Sequence, residues 1–392
     1  MSQDTFVHKY SPLFYVLLAV VFIFLLTVAH YLFVVEPFDY ANKDFMSLWT
    51  GGKALLTRQN PYDPDVWRAM RTQYGSNWFP DERAPFPLWT FVFTAPLSLL
   101  PIPLASALWM AATETALVLS VFLIVMKLVD YHPSLPEKGL LFLGSVFSVV
   151  TLLVLINGQM TAFLLAILVG CLLLVKRDLP FAAGLLLALL ASKPNAFIVF
   201  VPLLGVWLLA RRRWRMIAGG CTGILVMYVV SWFIQPGWLP LWLNVQGKTA
   251  VATITPTIWG LSAELAGEWW LPVGLALTVV IVGGVGWLCI LSRHRLGDAS
   301  VVSLAVAVSL LITPYTWSYE HALLYLPWAW GFAIIPLRKQ ANVMWIMLSF
   351  IVPWLLFVIS VARINESLSF LSPLLAIIAV VYAQKFVKVL PT

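Results

Sequence analysis

Charged residues are scarce in this sequence. Only 10% of its 392 residues are charged, whereas 61% are hydrophobic, and the mean hydropathy is +0.92. Soluble domains are about half apolar and a quarter charged, so this composition excludes a soluble protein and predicts a membrane protein with many spans. The net charge of +7 does not indicate nucleic-acid binding, because the basic residues form short clusters at the ends of apolar runs.

Cysteines are few, and the common cofactor motifs are missing. Cys171, Cys221 and Cys289 each lie inside an apolar run and share no short metal-ligand spacing with one another or with a histidine. This is typical of small buried side chains and argues against a disulfide or a zinc site. No P-loop, GxGxxG, HExxH or CxxC pattern occurs, so a bound nucleotide or nucleotide sugar is not supported. No clear inverted repeat favours a transporter either.

What the sequence does have is a series of long apolar runs. The first, residues 13–35, is too long for the core of a signal peptide and lacks a clear cleavage site, which predicts a retained helix. The runs at 86–100 and 181–192 are short for a span, which takes about 20 residues. The basic clusters are expected in the cytoplasm; they are Lys176-Arg177, Arg211-Arg212-Arg213 with Arg215, Arg293 with Arg295, Arg338-Lys339, and Lys385 with Lys388.

Counting from these clusters predicts about twelve crossings with both termini inside, provided that 86–100 enters the membrane and returns. We therefore expect a single all-α polytopic domain over residues 1–392. Its first extracytoplasmic loop is 36–85 and its second is 236–270. The polar groups at Asp44, Gln159, Lys193 and 313–321 would then all lie on the outer side.

The first loop contains the charged segment 39–64. Phe45, Leu48, Trp49, Ala54 and Leu55 recur at helical spacing, which predicts an amphipathic helix lying in the membrane interface. A turn follows at 60–64, and residues 65–74 are a candidate second helix.

Asp44 lies at the start of this predicted helix. There it could act as a base, with the helix N-terminus favouring its charged form, or it could only cap the helix. Asp39 ranks second, because no helical pattern follows it directly.

Other polar residues interrupt apolar stretches. Lys193 could pair with a phosphate, or it could snorkel or form a salt bridge at a helix end. Asn157-Gly158-Gln159 could donate hydrogen bonds to a ligand or could form only a tight turn. His321 could bind phosphate or act as an acid, oriented by Glu320, or the segment 313–321 could be an interfacial aromatic cluster. Glu114 lies within a span, where a carboxylate is costly.

These motifs occur in a recognisable order: Asp44-Phe45, Trp49, Gly51-Gly52, Pro61-Tyr62-Asp63, Pro85-Phe86-Pro87, Ala95-Pro96-Leu97, Leu100-Pro101, Gly158-Gln159, Ala183-Gly184, Lys193-Pro194, Arg211–Arg215 and Pro314–His321. In this order and spacing the chain resembles the polyprenol-phosphate-mannose-dependent mannosyltransferases of glycosyltransferase family 87, within the GT-C superfamily. It departs from them where Phe86-Pro87-Leu88 replaces a frequent Tyr-Pro-Pro run.

The resemblance implies a GT-C bundle of membrane helices whose site faces the extracytoplasmic side of the cytoplasmic membrane. It implies an inverting transfer of a hexose, mannose above others, from a polyprenyl-phosphate donor to a glycolipid or polysaccharide acceptor. Asp44 would be the base, Lys193 and His321 would hold the phosphate, and no metal or cofactor is expected. The sugar and the acceptor would be contacted by Gln159, Tyr62, Tyr315, Trp317 and Glu320.

A second hypothesis is a transporter or flippase for a lipid-linked sugar. It would use Glu114 and Lys193 as polar groups near the middle of the membrane. The long outer loop with its acid at Asp44 favours the enzyme.

Overall fold

The computed structural model describes residues 12–38, 43–75, 83–128, 135–246, 252–291, 297–334 and 347–383. Within these ranges the chain is helical and contains no β-strand, so the all-α prediction is confirmed for this part of the chain. Asp39, ranked second among the acids, and the basic clusters at 293–295, 338–339 and 385–388 lie outside the described residues.

The first half of the chain begins with a long apolar helix, α1, which continues through a π-helical turn at Tyr31–Val35 into Glu36–Phe38. The helices that follow are α2 (Phe45–Leu56), α3 (Pro64–Gln73), α4 (Leu88–Thr94), α5 (Ile102–Leu123), α6 (Leu135–Val146), α7 (Val149–Ile156), α8 (Thr161–Lys176) and α9 (Pro180–Ala188), with α1 itself spanning Pro12–His30. Short non-α turns extend α4 (Ala95–Leu99), α5 (Ile124–Leu128) and α9 (Leu189–Ser192).

The second half has the same character. Its helices are α10 (Pro194–Phe197), α11 (Phe200–Ala210), α12 (Trp214–Ile234), α13 (Trp238–Gln246), α14 (Ile258–Ala266), α15 (Trp270–Leu291), α16 (Asp298–Ile312), α17 (Tyr325–Ile334), α18 (Val352–Arg363) and α19 (Leu371–Ala383). Its 3₁₀ segments are Ala252–Ile254, Gly267–Trp269, Ser318–Leu324 and Ser367–Phe370, and a π turn occupies Met347–Ile351.

Several helices are long and apolar enough to cross a membrane. Among the described residues there are four, at Val16–Val35, Ile102–Leu128, Trp214–Ile234 and Ile258–Leu291. The pair α7 and α8 makes a fifth if it is one span, bent by 116°. Other apolar helices have 10–17 residues, including Leu88–Leu99 and Pro180–Ser192, the two runs that the sequence already indicated as short. These lengths indicate a multi-span membrane protein.

Local sequence explains where several helices start and stop. Prolines occupy the first turns of α3, α5, α9 and α10, where a missing N–H costs no hydrogen bond. Asp63, Ser148 and Thr257 cap α3, α7 and α14 by accepting backbone N–H groups. Capping residues and prolines thus fix the starts of these helices.

The core is organised around α16, which is buried on all sides from Ser300 to Ile312. Helices α9 and α12 pack with their backbones in contact. A Cβ on Gly184 would lie 2.1 Å from Met216 O, and one on Gly223 would lie 2.6 Å from Ala188 Cβ. Small residues allow this approach in membrane bundles, and the order of the contacts shows that the two helices run parallel.

Helix α2 confirms the helix predicted after Asp44, but it does not lie in an interface. Nearly all of its residues from Phe45 to Ala54 are buried. The glycine pair explains this: a Cβ on Gly51 would lie 2.1 Å from the Phe91 ring, and one on Gly52 would lie 2.4 Å from Ser98 Oγ. Helix α2 therefore packs directly against α4 and its 3₁₀ extension, and the prediction of an interfacial helix is wrong for this segment.

Candidate active site

Asp44 occupies the N-cap position of α2, yet its side chain makes no capping hydrogen bond. Its backbone N–H instead donates to Asn157 O over 3.1 Å. The alternative that Asp44 only caps the helix is therefore wrong. The carboxylate is available for other contacts, and Asp44 retains accessible surface.

The corner between α7 and α8 brings Gln159 to Asp44. The chain turns there through Gly158, whose φ of +63° favours glycine. A Cβ on Gly158 would lie 2.8 Å from Phe45 Cβ, so the corner contacts the start of α2 directly. Trp109 Nε1 donates to Gly158 O over 2.8 Å. Held in this way, Gln159 donates from Nε2 to Asp44 Oδ2.

Lys193 lies at a second break, between the 3₁₀ turn Leu189–Ser192 and α10. It is only 4% exposed, so it does not snorkel. Its Nζ donates to Gln159 Oε1 over 2.7 Å and lies 4.9 Å from the centre of the Tyr319 ring. Side chains on α4 satisfy the carbonyls that the break frees: Trp89 Nε1 donates to Ala191 O and Thr90 Oγ1 to Ser192 O.

The 3₁₀ segment Ser318–Leu324 supplies the counter-ion. Glu320 is fully buried, and its Oε1 lies 2.8 Å from Lys193 Nζ. This contact is an ion pair whose angles fall outside those of a hydrogen bond. Oε2 accepts the backbone N–H of Trp317 over 3.2 Å. Both oxygens are thus engaged elsewhere, so Glu320 does not orient His321 as the sequence suggested.

His321 is buried, and its Nε2 has no hydrogen-bond partner among the described residues. Burial lowers the pKa of the imidazole to about 3, because a buried cation loses its hydration. At neutral pH His321 is therefore uncharged. It can donate one N–H to a ligand but cannot contribute a positive charge.

Protein surrounds the carboxyl of Asp44 on most sides, although the residue retains accessible surface. Loss of surrounding water raises the pKa of its carboxyl above the ordinary value of 3.8. That pKa is lowered in turn by the charge of Lys193, by the hydrogen bond from Gln159, and by the charges of Arg71 and Lys43. The net direction is upward, which brings the group nearer to a useful basicity at neutral pH.

Two contributors were missed in the sequence. Arg71 is 8% exposed, donates to Ser47 Oγ over 3.2 Å and acts electrostatically on Asp44. The sequence pattern that could have identified Arg71 is its helical spacing from Trp67 and Met70, with which it shares the buried side of α3. Tyr319 offers its ring to Lys193, and no sequence pattern distinguished it from its aromatic neighbours.

The remaining predicted residues lie at different places. Tyr315 and Trp317 are half-buried, with ring centres 6.3 Å apart, and Tyr315 O accepts Asn195 Nδ2 beside Lys193. Tyr62 is not brought to Asp44. It lies in a separate aromatic cluster near the C-terminal end of α2, where its hydroxyl donates to Phe86 O over 3.0 Å.

Glu114 is also apart from this network. Its Oε2 lies 2.8 Å from His30 Nε2, so the pair joins α5 to α1. The transporter hypothesis combined Glu114 with Lys193, whereas the structure gives the two residues different partners. Among the described residues, no group of three or more His, Cys, Asp or Glu side chains is arranged to hold a metal ion.

Comparison with known families identifies the family of the chain. The model of glycosyltransferase family 87 matches residues 85–314, more than half of the chain. The chain belongs to glycosyltransferase family 87. Comparison with curated proteins and with solved structures gave no match. The family-87 match includes Gln159 and Lys193, whereas Asp44 precedes it and Glu320 and His321 follow it.

Membership of family 87 gives the site a chemical class. A glycosyltransferase takes a sugar donor and an acceptor, and its polar residues must serve those two ligands. In this family-87 chain a reachable carboxylate, Asp44, is joined to a buried ammonium, Lys193, through the single amide of Gln159.

Proposed function

We propose that this glycosyltransferase transfers a hexose, mannose above others, from a polyprenyl-phosphate-sugar donor to a hydroxyl of a glycolipid or polysaccharide acceptor. The reaction inverts the anomeric centre, and Asp44 is the general base. One observation carries the proposal: Asp44, Gln159, Lys193 and Glu320 come from four distant segments and form one continuous polar network.

Asp44 has the properties that a base needs in this reaction. The acceptor oxygen forms a bond to the anomeric carbon, the bond from that carbon to the phosphate oxygen breaks, and Asp44 takes the hydroxyl proton. A pKa raised above that of a free aspartate makes the carboxylate a stronger base, while the side chain stays accessible. Gln159 holds the carboxylate in place until the acceptor hydroxyl displaces its hydrogen bond.

The leaving group is a polyprenyl phosphate, whose charge needs positive donors rather than a proton. Lys193 supplies a charge, and His321 supplies an uncharged N–H from Nε2. Glu320 now neutralises Lys193. A phosphate near Lys193 would share the ammonium with Glu320, and Arg71, which acts electrostatically on Asp44, adds a second positive charge near the site.

The remaining contacts are assigned by position. Tyr315, whose backbone O accepts Asn195 Nδ2 beside Lys193, and Trp317, whose ring contacts that of Tyr315, would contact the donor sugar. The polyprenyl tail would lie between helices open to lipid. The proposal needs no metal and no cofactor, and it treats residues 1–392 as one catalytic domain.

The site is proposed to face the extracytoplasmic side of the cytoplasmic membrane in a chain of about twelve crossings. Parallel packing of α9 and α12 supports this orientation. Lys176-Arg177 precedes α9, and the cluster Arg211–Arg215 lies at the start of α12, so both basic clusters lie at one end of this helix pair. Lys193 lies at the other end, away from the side to which basic residues are drawn.

The test is transfer from polyprenyl-phosphate mannose in membranes that contain the endogenous acceptor. Asp44→Asn preserves shape and removes the base, so transfer should fall by about 10²-fold to 10⁴-fold. Asp65→Asn is the matched control, because Asp65 is an exposed carboxylate in the same loop. Full activity of Asp44→Asn would eliminate Asp44 as the base. Transfer of arabinose but not mannose would redefine the donor.

A further inference from the structure

The amide of Gln159 joins the two opposite charges of the site. Its Nε2 donates to Asp44 Oδ2, and its Oε1 accepts Lys193 Nζ over 2.7 Å. The nitrogen of a carboxamide only donates and its oxygen only accepts, so the two ends are not interchangeable. Rotation of the amide by 180° would place its oxygen against the carboxylate and its nitrogen against the ammonium. The charges of Asp44 and Lys193 therefore fix the orientation of Gln159 together.

The backbone at Gln159 is held in place, so the amide responds to a change in either charge by rotation of its side chain. Trp109 Nε1 donates to Gly158 O over 2.8 Å, and the backbone N–H of Asp44 donates to Asn157 O over 3.1 Å. The corner is thus attached to α5 on one side and to the start of α2 on the other. Gln159 itself is 4% exposed, which leaves it little room to move away.

The network runs from an accessible end to a buried end. Asp44 retains accessible surface, Gln159 and Lys193 are each 4% exposed, and Glu320 is fully buried. The ammonium of Lys193 is covered by Gln159 Oε1, by Glu320 Oε1 at 2.8 Å and by the ring of Tyr319, whose centre lies at 4.9 Å. A phosphate oxygen that reaches this ammonium competes with these groups. The neutral amide oxygen is displaced more readily than a buried carboxylate in an ion pair.

We propose that Gln159 is a positioning residue that couples the donor site to the base. The phosphate of the donor takes the place of Gln159 Oε1 on Lys193, and the amide is then no longer held in one orientation. Asp44, which the amide occupies until then, becomes free to accept the proton of the acceptor hydroxyl. The base is thus released when the sugar is in place for attack. This inference rests on the proposed function and describes how its donor site acts on its base.

The same exchange strengthens the base. The charge of Lys193 and the hydrogen bond from Gln159 both lower the pKa of Asp44. A phosphate on Lys193 offsets the first of these effects and weakens the second, so the pKa of Asp44 rises when the donor binds. The carboxylate is therefore the better proton acceptor in the donor complex.

The test uses the reciprocity of coupling between two sites, which allows a measurement from the donor side without an acceptor. The probe is a polyprenyl phosphate, the leaving group of the reaction, bound by the purified full chain in proteoliposomes. Its affinity is compared among the wild type, Asp44→Ala, Gln159→Met and the double variant of these two. Gln159→Met keeps the length of the side chain but removes its donor and its acceptor.

Asp44→Ala should tighten the binding of polyprenyl phosphate in both backgrounds, because a negative charge near the phosphate is lost. With Gln159 present the gain should be larger by about threefold to tenfold, because the freed amide can turn its nitrogen to the phosphate and add one hydrogen bond. Uncharged polyprenol should show neither gain. Gln73→Met is the matched control, since Gln73 is an exposed amide on α3, and it should leave the larger gain intact.

Two further variants keep the test decisive. Gln159→Leu should behave as Gln159→Met does, and the melting temperature of each identifies a variant that does not fold. Lys193→Met combined with Glu320→Gln removes the ammonium without leaving a charge unpaired, and it should lose binding of the lipid phosphate. Wild-type binding by this double variant would place the phosphate elsewhere and overturn the inference.

The outcomes separate the inference from the proposed function. If Asp44→Ala gives the same gain with and without Gln159, the amide does not couple the two sites, although the proposed function stands. Failure of the wild type to bind polyprenyl phosphate, or to transfer mannose from its donor form, would refute the proposed function and the inference with it.

Discussion

Removal of the ammonium of Lys193 should destabilise the protein and abolish transfer. Neutralising Glu320 in addition should restore stability but not transfer. Lys193→Met keeps the length of the side chain without its charge. Glu320→Gln keeps an amide oxygen that can still accept the N–H of Trp317. The double variant removes both charges of the pair and leaves neither one uncompensated.

The magnitude follows from burial. Lys193 is 4% exposed and Glu320 is 0% exposed, with 2.8 Å between Nζ and Oε1. Removing one partner of a buried ion pair costs about 3–5 kcal/mol, because the other charge remains in a poorly solvated place. The free energy of unfolding of the double variant should therefore exceed the additive expectation by about 2 kcal/mol. Glu320→Gln should cost less than Lys193→Met, since Lys193 keeps its bond to Gln159.

Both quantities can be measured on the same preparations. Unfolding in mixed micelles of detergent and SDS, followed by tryptophan fluorescence, gives the free energies. Transfer from polyprenyl-phosphate mannose gives the activity. Strictly additive free energies would refute the energetic coupling of Lys193 and Glu320. A double variant with wild-type transfer would refute Lys193 as a donor to the leaving phosphate.

Two further outcomes are expected. Gly158→Ala should lower the free energy of unfolding by about 1–3 kcal/mol and reduce transfer strongly. The reason is that Gly158 has a φ of +63° and that an added Cβ would lie 2.8 Å from Phe45 Cβ. The control Gly205→Ala, whose Cβ would meet nothing within 4 Å, should keep both its stability and its transfer activity. The rate of transfer should fall as the pH drops through the pKa of Asp44. This pKa is raised, so the carboxylate forms only at a higher pH than in a free aspartate. A kcat/KM profile that stays flat down to the ordinary aspartate pKa of 3.8 would contradict this.

The sequence was sufficient to predict the class of fold and the convergence at Asp44. Apolar runs identify membrane helices by composition alone. Polar residues that break such runs are costly unless they face protein or a wet cavity. Gln159 and Lys193 satisfied this criterion, and basic clusters assigned them to the side of Asp44.

Other features depend on tertiary contacts that no local pattern specifies. Arg71 belongs to the site because α3 turns its buried side toward α2, and a sequence shows only that such a side exists. The 116° corner at Gly158 could be predicted as a turn but not as an angle. Helix α2 was misplaced because Phe45, Leu48 and Trp49 suggested one lipid-facing stripe, whereas Gly51 and Gly52 already indicated close helix packing.

The family-87 match ends at residue 314, before the segment that holds the counter-ion of Lys193. Beyond it, Ser318 N–H donates to Glu366 Oε2 over 2.8 Å, and Glu366 N–H donates to Ile254 O over 3.1 Å. The segment that holds the counter-ion of Lys193 is thus anchored by Glu366, which lies outside the matched residues. The charge balance at Lys193 is therefore set by a part of the chain that the family-87 model does not cover, so a match to residues 85–314 includes the lysine but not its counter-ion.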